Sequence, residues 1–109
     1  MAKVIGILPV RLKPDADPEA FERFTREVAY PASDRPDLRF SLLRGQRGPR
    51  AGRYVLMVEI ADEATRDSYW PAFNQQSAAG HTLVDSWGEQ WFSFVETDED
   101  TTDYLVIGR

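Results

Sequence analysis

Six side chains in the second half of this sequence are of the types that bind and transform organic molecules. Aromatic rings offer flat apolar surface, and a few polar groups among them orient a bound molecule. The aromatic members are Tyr69, Trp70, Phe73 and Trp87, and the polar members are Asn74 and His81. Together they predict a binding site for a flat organic molecule, with the four aromatic residues as ligand-binding residues.

Asn74 and His81 are the candidate catalytic pair. The asparagine amide can hold an oxyanion, and the imidazole can take a proton at neutral pH. Two alternatives stay open. Aromatic residues at this spacing also form ordinary protein cores, and His81, which directly follows Gly80, also suits a capping or surface position.

Composition excludes several classes of site. The chain has no cysteine and one histidine, so it cannot form disulfides, thiolate nucleophiles, Cys-ligated metal sites or a His-only metal cluster within one chain. We expect no metal site, and we also expect no cofactor. The net charge of -5 argues against a nucleic-acid partner, because neutralising phosphates requires a basic face.

The length of 109 residues fits one small domain. The apolar run Val4–Val10 is far shorter than the roughly 20 residues that a transmembrane helix needs, and it does not resemble a signal peptide. We expect a cytoplasmic protein that makes no use of a membrane.

Periodicity and turn residues predict the elements that would position the candidate site. Alternating apolar residues predict strands, helical spacing predicts helices, and Asp17 and Asp62 are suitable N-caps. The predicted strands are Val4–Val10, Leu38–Arg44, Arg53–Ile60 and Trp91–Val95. The first predicted helix runs from Asp17 to Pro31, with Phe21, Phe24 and Val28 as its apolar stripe. The second runs from Asp62 to Trp70, where Pro71 introduces a break or kink, and a further helical piece follows Gly80 with Leu83, Val84 and Trp87 as its apolar side.

This βαββαβ order predicts the α+β, ferredoxin-like arrangement with a four-stranded antiparallel sheet. The predicted domain spans residues 1–96. Residues 97–109 form an acidic linker and a C-terminal tail strand, Tyr104–Ile107.

A homodimer is expected because two helices cover only one face of a four-stranded sheet. The first, third and fourth predicted strands carry apolar residues on both faces, so a second copy is the simplest cover for the other face. The tail strand then has two possible positions: the partner's sheet edge, or an edge within its own chain.

The chain resembles the dimeric α+β barrel superfamily, which includes antibiotic-biosynthesis-type monooxygenases, stress-responsive barrel proteins and EthD-like proteins. The resemblance covers most of residues 3–96. It rests on the element order and on Lys3–Ile7, Asp17–Phe21 and the strand-to-helix junction Tyr54–Glu63. It implies a shared barrel and a pocket between the sheet and its two helices.

For function, the resemblance implies a homodimer that binds an aromatic or polyketide-like molecule, with cofactor-independent oxygenation as its candidate reaction. The alternative is a non-catalytic ligand-binding or stress-associated barrel protein, and a third possibility is a structural partner with a collapsed pocket. Haem binding would use His81 as the axial ligand. Haem-degrading members of the superfamily carry an asparagine on the first strand, and Val4–Leu8 contains none, which argues against haem. Arg44, Arg47, Arg50 and Arg53 surround a Gly-rich hairpin, which is either a solvated loop or an anion-binding surface.

Overall fold

The computed structural model describes residues 2–73, 75–96 and 99–108. Its sheet has four antiparallel strands in the order β2-β3-β1-β4. The strands are β1 (Val4–Val10), β2 (Leu38–Arg44), β3 (Tyr54–Ile60) and β4 (Thr102–Leu105). With helices between β1 and β2 and between β3 and β4, this is the ferredoxin-like α+β arrangement predicted from the sequence.

The helices follow the predicted connections. Between β1 and β2, α1 (Pro18–Phe24) continues through a π-helical turn (Thr25–Ala29) into α2 (Tyr30–Ser33). After β3 come α3 (Glu63–Tyr69), α4 (Ala78–Val84) and α5 (Gly88–Phe92). The Asp17 carboxylate accepts a hydrogen bond from the Glu19 amide at 3.1 Å, and Pro18 occupies the first turn, as the N-cap pattern predicts.

The predicted fourth strand, Trp91–Val95, is wrong. Residues 88–92 form α5, and Val95 makes only an isolated bridge to Leu12. The indole N–H of Trp91 donates to Thr25 Oγ1 at 3.1 Å, and the ring is 3% exposed. A short apolar run fits a buried helix as well as a buried strand, and tertiary packing decides between them.

The tail supplies the fourth strand instead. Thr102–Leu105 pairs antiparallel with β1 of the same chain, with Leu105 opposite Val4 and Asp103 opposite Gly6. The strand lies two residues earlier than the predicted Tyr104–Ile107, and Ile107 is 95% exposed. The tail therefore pairs with an edge of its own chain's sheet, which is one of the two positions expected from the sequence.

The apolar stripe predicted for the first helix is partly wrong. Phe21 is fully buried, whereas Val28 is 46% exposed. The π-helical turn widens the helix at Thr25–Ala29, and this shifts the buried face onto Thr25 and Ala29. The helical path also continues past Pro31 to Ser33, because Pro31 lies in the first turn of α2, where its missing N–H is tolerated.

The two faces of the sheet differ. Even-numbered residues of β1, such as Val4 and Val10, face the helices and are buried with Phe21, Leu83 and Trp91 in one core. The opposite face is partly exposed along the part of the chain that the structure describes. Its apolar residues, which we call the open face, are Ile5, Ile7, Leu43, Val55, Met57 and Tyr104.

Candidate active-site cleft

A cleft of about 950 Å³ lies between the helix-facing side of the sheet and helices α3, α4 and α5. Its floor is apolar and includes Leu8, Phe40 and Val58. All three tryptophans of the sequence line it: Trp70, Trp87 and Trp91. Two further aromatic rings, Phe73 and Phe92, are 70% and 49% exposed at its edge. The combination of aromatic walls and an apolar floor suits an organic molecule of drug-like size.

Helix α3 carries one side of the cleft from the end of β3. The Asp62 carboxylate accepts a hydrogen bond from the Thr65 amide at 2.8 Å, which caps α3 and holds the pKa of Asp62 below its ordinary value. The helix ends at Tyr69 with Trp70 as its C-cap, so it stops before Pro71, as predicted. This termination places Trp70 and Phe73 at the cleft.

Close contact between α3 and α4 sets the shape of that side. Ser77 caps α4 by accepting from the Gly80 amide at 3.1 Å, and its hydroxyl donates to Ser68 O at 2.6 Å. The backbone of Gly80 passes so near α3 that an added Cβ would lie 2.3 Å from Tyr69 O. Only glycine permits this approach, so Gly80 keeps α4, and with it His81, against α3.

Buried hydrogen bonds fix two of the tryptophan rings. The Trp87 indole N–H lies 2.8 Å from Ser33 Oγ and 2.9 Å from Leu83 O, and the ring is 6% exposed. Trp91 is anchored to Thr25 in the same manner. Both indole N–H groups therefore donate to partners within the protein, and a molecule in the cleft could contact only the ring surfaces of Trp87 and Trp91.

The structure brings four of the six sequence-predicted site residues to the cleft. Trp70, Phe73, Trp87 and His81 line it, and the His81 side chain is exposed on α4. Tyr69 is not among the described lining residues, but its ring centroid lies 5.7 Å from that of Trp70. Asn74 lies outside the described residues. The catalytic and ligand-binding roles of all six residues stay predictions.

Sequence reasoning missed the polar end of the cleft, where α3 faces β4. Arg66 Nη1 donates to Asp103 Oδ2 at 3.3 Å, and Arg66 Nε donates to Asp67 Oδ1 at 2.9 Å. These bonds, led by the one to Asp67, hold the pKa of Arg66 above its ordinary value. Arg66 lies four residues before Trp70 on the same helix face, a spacing that was available in the sequence. Asp103 could not be found, because its strand was misplaced.

A second charged cluster lies away from the cleft. Glu22 on α1 accepts hydrogen bonds from the Tyr54 hydroxyl and from Arg44 Nη1, the latter at 2.7 Å. The bond from Tyr54, assisted by Arg44, holds the pKa of Glu22 below its ordinary value of 4.5. Burial, together with Glu22, raises the pKa of Tyr54. Arg44 is thus engaged within the fold, while Arg47, Arg50 and Arg53 stay exposed around the hairpin.

This cluster predicts an acid-dependent contribution to stability. Because the pKa of Glu22 is lower in the folded chain, its contribution is present above pH 4.5 and is lost as the pH falls through the folded pKa. Glu22→Gln should lower the free energy of unfolding by about 1 kcal/mol at neutral pH, with a shrinking deficit in acid. Urea unfolding at several pH values measures this. Glu27→Gln, at an exposed glutamate of the π-helical turn, is the control and should differ little from wild type. A deficit for Glu22→Gln that does not change with pH would contradict the assignment.

Two kinds of feature are absent from the described part of the chain. Residues 2–73, 75–96 and 99–108 contain no group of three or more His, Cys, Asp or Glu side chains placed to hold a metal ion. In the same ranges no helix has the length and apolar character needed to cross a membrane.

Comparison with known proteins gives distant structural likeness and no sequence match. No protein-family model matches the chain, and no curated protein matches it. A solved structure from Bacteroides fragilis, a dimeric protein of unknown function with a ferredoxin-like fold, is similar at 14% sequence identity and a TM-score of 0.43. The alignment covers 95% of this chain and 96% of that one. A likeness at this level carries no argument about function or assembly.

Proposed function

We propose that this protein binds a small organic molecule with an aromatic, polyketide-like body in the cleft between its sheet and its helices. The observation that supports this most strongly is the convergence of Trp70, Trp87 and Trp91 with Phe73 and Phe92 around one open space. A cleft volume of about 950 Å³ leaves room for a ligand and argues against a collapsed pocket filled by the protein's own aromatic rings.

The proposal includes a homodimer built through the open face, in the manner of the dimeric α+β barrels that the sequence resembles. Ile7, Val55 and Met57 lie side by side in the middle of this face. The Lys3–Glu59 ion pair, at 2.9 Å, lies towards one end, with Arg39 opposite Glu59 in the strand register. An apolar centre with charged residues at its edge is the usual composition of a protein interface. A cytoplasmic location is also part of this proposal.

The reaction that we propose for this cleft is cofactor-independent oxygenation of the bound molecule. Such a reaction needs a base for the substrate hydroxyl, and the single histidine of the chain, His81, lines the cleft with an exposed side chain. Asn74 keeps its predicted role as the oxyanion partner. The second candidate function is ligand binding without catalysis, which the largely apolar floor supports equally well.

Tryptophan fluorescence tests the binding proposal, because every tryptophan lies at the cleft. Titration with phenylbutanol, a neutral aromatic probe, should change the emission in a saturable manner. Phe73→Ala should weaken binding about fivefold, the equivalent of about 1 kcal/mol of lost ring contact. Val28→Ala, a truncation at an exposed site on the π-helical turn, is the control and should leave the dissociation constant unchanged. No saturable change in wild type, with this probe or with its amine and carboxylate analogues, would remove the binding proposal.

Oxygen uptake separates the two candidate functions. With a quinol as substrate, an oxygenase should consume oxygen in proportion to enzyme, and His81→Ala and Asn74→Ala should each lower the rate by at least about 100-fold. Saturable binding of the quinol without oxygen uptake would leave the protein as a non-catalytic ligand carrier.

A further inference from the structure

The acidic residues and the arginine that line the cleft, Asp67, Asp103 and Arg66, all lie on α3 and β4. Arg66 stands at the centre of this polar end, and its side chain is 23% exposed. Its Nη1 and Nε atoms bond Asp103 and Asp67, at 3.3 and 2.9 Å, and its Nη2 lies 3.8 Å from Glu63 Oε2. One guanidinium group is therefore shared among three carboxylates.

This arrangement makes the polar end anionic. Asp67, Asp103 and Arg66 all line the cleft and together carry one formal negative charge. Glu63 is not a lining residue, but its carboxylate lies 3.8 Å from Arg66 and adds a second negative charge nearby. Arg66 is the one lysine or arginine that lines the cleft in the part of the chain the structure describes. Two of its five N–H donors bond Asp67 and Asp103, and its single positive charge is outweighed by the three neighbouring carboxylates, so a ligand carboxylate at this end would meet a net negative charge.

The carboxylates keep capacity for a ligand that donates hydrogen bonds. A carboxylate accepts about four hydrogen bonds, and Arg66 uses only one oxygen of Asp103. The other oxygen, Oδ1, lies over the cleft floor at Gly6, where an added Cβ would be 3.2 Å from it. Asp103 is 38% exposed and Asp67 is 57% exposed, so both carboxylates are accessible from the cleft.

We propose that the cleft selects aromatic molecules bearing an ammonium or other hydrogen-bond-donating group, and discriminates against aromatic carboxylates. The aromatic body lies among the tryptophans, and the donor group points to Asp67 and Asp103. This inference rests on the proposed binding function and specifies its ligand class. A cation also gains from the neighbouring ring faces, which attract positive charge.

Three matched probes test the selection: phenylbutylamine, phenylbutanol and phenylbutyrate, which share a body and differ in the charge of one end. Tryptophan fluorescence should give a dissociation constant at least about tenfold lower for the amine than for the carboxylate, with the alcohol between them. The ratio should fall as salt is added, because salt screens charges on an open cleft.

Variants test whether Asp67 and Asp103 cause the difference in dissociation constant between the amine and the carboxylate. Asp103→Asn and Asp67→Asn should each reduce the ratio between amine and carboxylate several-fold. Asp67 is the more exposed of the two, so its variant keeps the test informative if Asp103→Asn disturbs β4. The control is Asp15→Asn, at an exposed aspartate in the turn before α1, and it should leave the ratio unchanged.

The outcomes separate the two proposals. If phenylbutanol binds but phenylbutyrate binds as tightly as the amine or more tightly, the charge inference is wrong and the binding function stands. The charge inference is also wrong if the ratio is unchanged in both carboxylate variants. If none of the three probes binds, the binding function fails and the inference fails with it.

Discussion

Replacing Gly80 by alanine is expected to lower the free energy of unfolding by about 3 kcal/mol, the upper part of the range for overpacked sites. The added Cβ would lie 2.3 Å from Tyr69 O and 3.2 Å from Tyr69 C, both of which are backbone atoms that cannot rotate away. Helix α4 must therefore move from α3, which also disturbs the side of the cleft that carries His81. Urea unfolding followed by tryptophan fluorescence measures the loss.

Gly88→Ala is the matched control, since Gly88 is also a buried glycine in a short helix. Its added Cβ would lie 3.7 Å from the nearest atom, Val84 Cβ, which is an ordinary contact. Alanine there should be neutral or should stabilise the protein by up to about 1 kcal/mol through its greater helix propensity. Equal effects of the two variants would show that the close approach at Gly80 is not what holds α4.

Placing a charge at the centre of the open face should abolish the proposed dimer. Met57 lies opposite Ile7 in the sheet register, and a two-fold interface through this face would bury the side chain. Met57→Glu would then bury an unpaired carboxylate on each protomer and raise the dimer dissociation constant by at least about 100-fold. Light scattering across a dilution series gives the mass at each concentration.

Val28→Glu is the control for this substitution. It places the same carboxylate at a partly exposed apolar site on the helical side of the protein, and it should leave the mass unchanged. A wild-type protein that remains monomeric at high concentration, or a Met57→Glu variant that remains dimeric, would contradict the proposed interface.

Local sequence signals were sufficient for most elements of the fold. The first two strands were predicted with their observed ends, and the third was predicted one residue too long. Asp17 and Asp62 cap helices as expected, since a cap depends only on residues within one turn. In these segments the local preference and the tertiary packing agree.

The errors arose where packing overrides local preference. Trp91 and Phe92 are residue types that favour strands, but they lie in α5, which packs against the π-helical turn through the hydrogen bond from Trp91 to Thr25. The π-helical turn leaves Val28 partly exposed. No feature of the sequence indicates that the helix widens there. The sheet then takes its fourth strand from beyond residue 96, where the sequence predicted a linker and tail; the domain boundary itself stays a prediction.

The candidate cleft was only partly predictable for the same reason. Trp70, Phe73 and His81 were found because they follow one another along a short segment. The pairing of Arg66 with Asp103 joins residues 37 positions apart and depends on β4 lying beside β1. The residue types in the sequence therefore indicated the aromatic part of the site. The net negative charge of its polar end could be recognised only once β4 was placed beside β1.

A crystal structure of the protein with phenylbutanol bound is the most direct test of the central claim, which is that the cleft is a ligand site. We expect the phenyl ring among Trp70, Trp87 and Trp91, with the hydroxyl directed towards Asp103 at the junction of α3 and β4. Occupancy of the open face instead, or a cleft closed by its own side chains with no ligand inside, would contradict the claim.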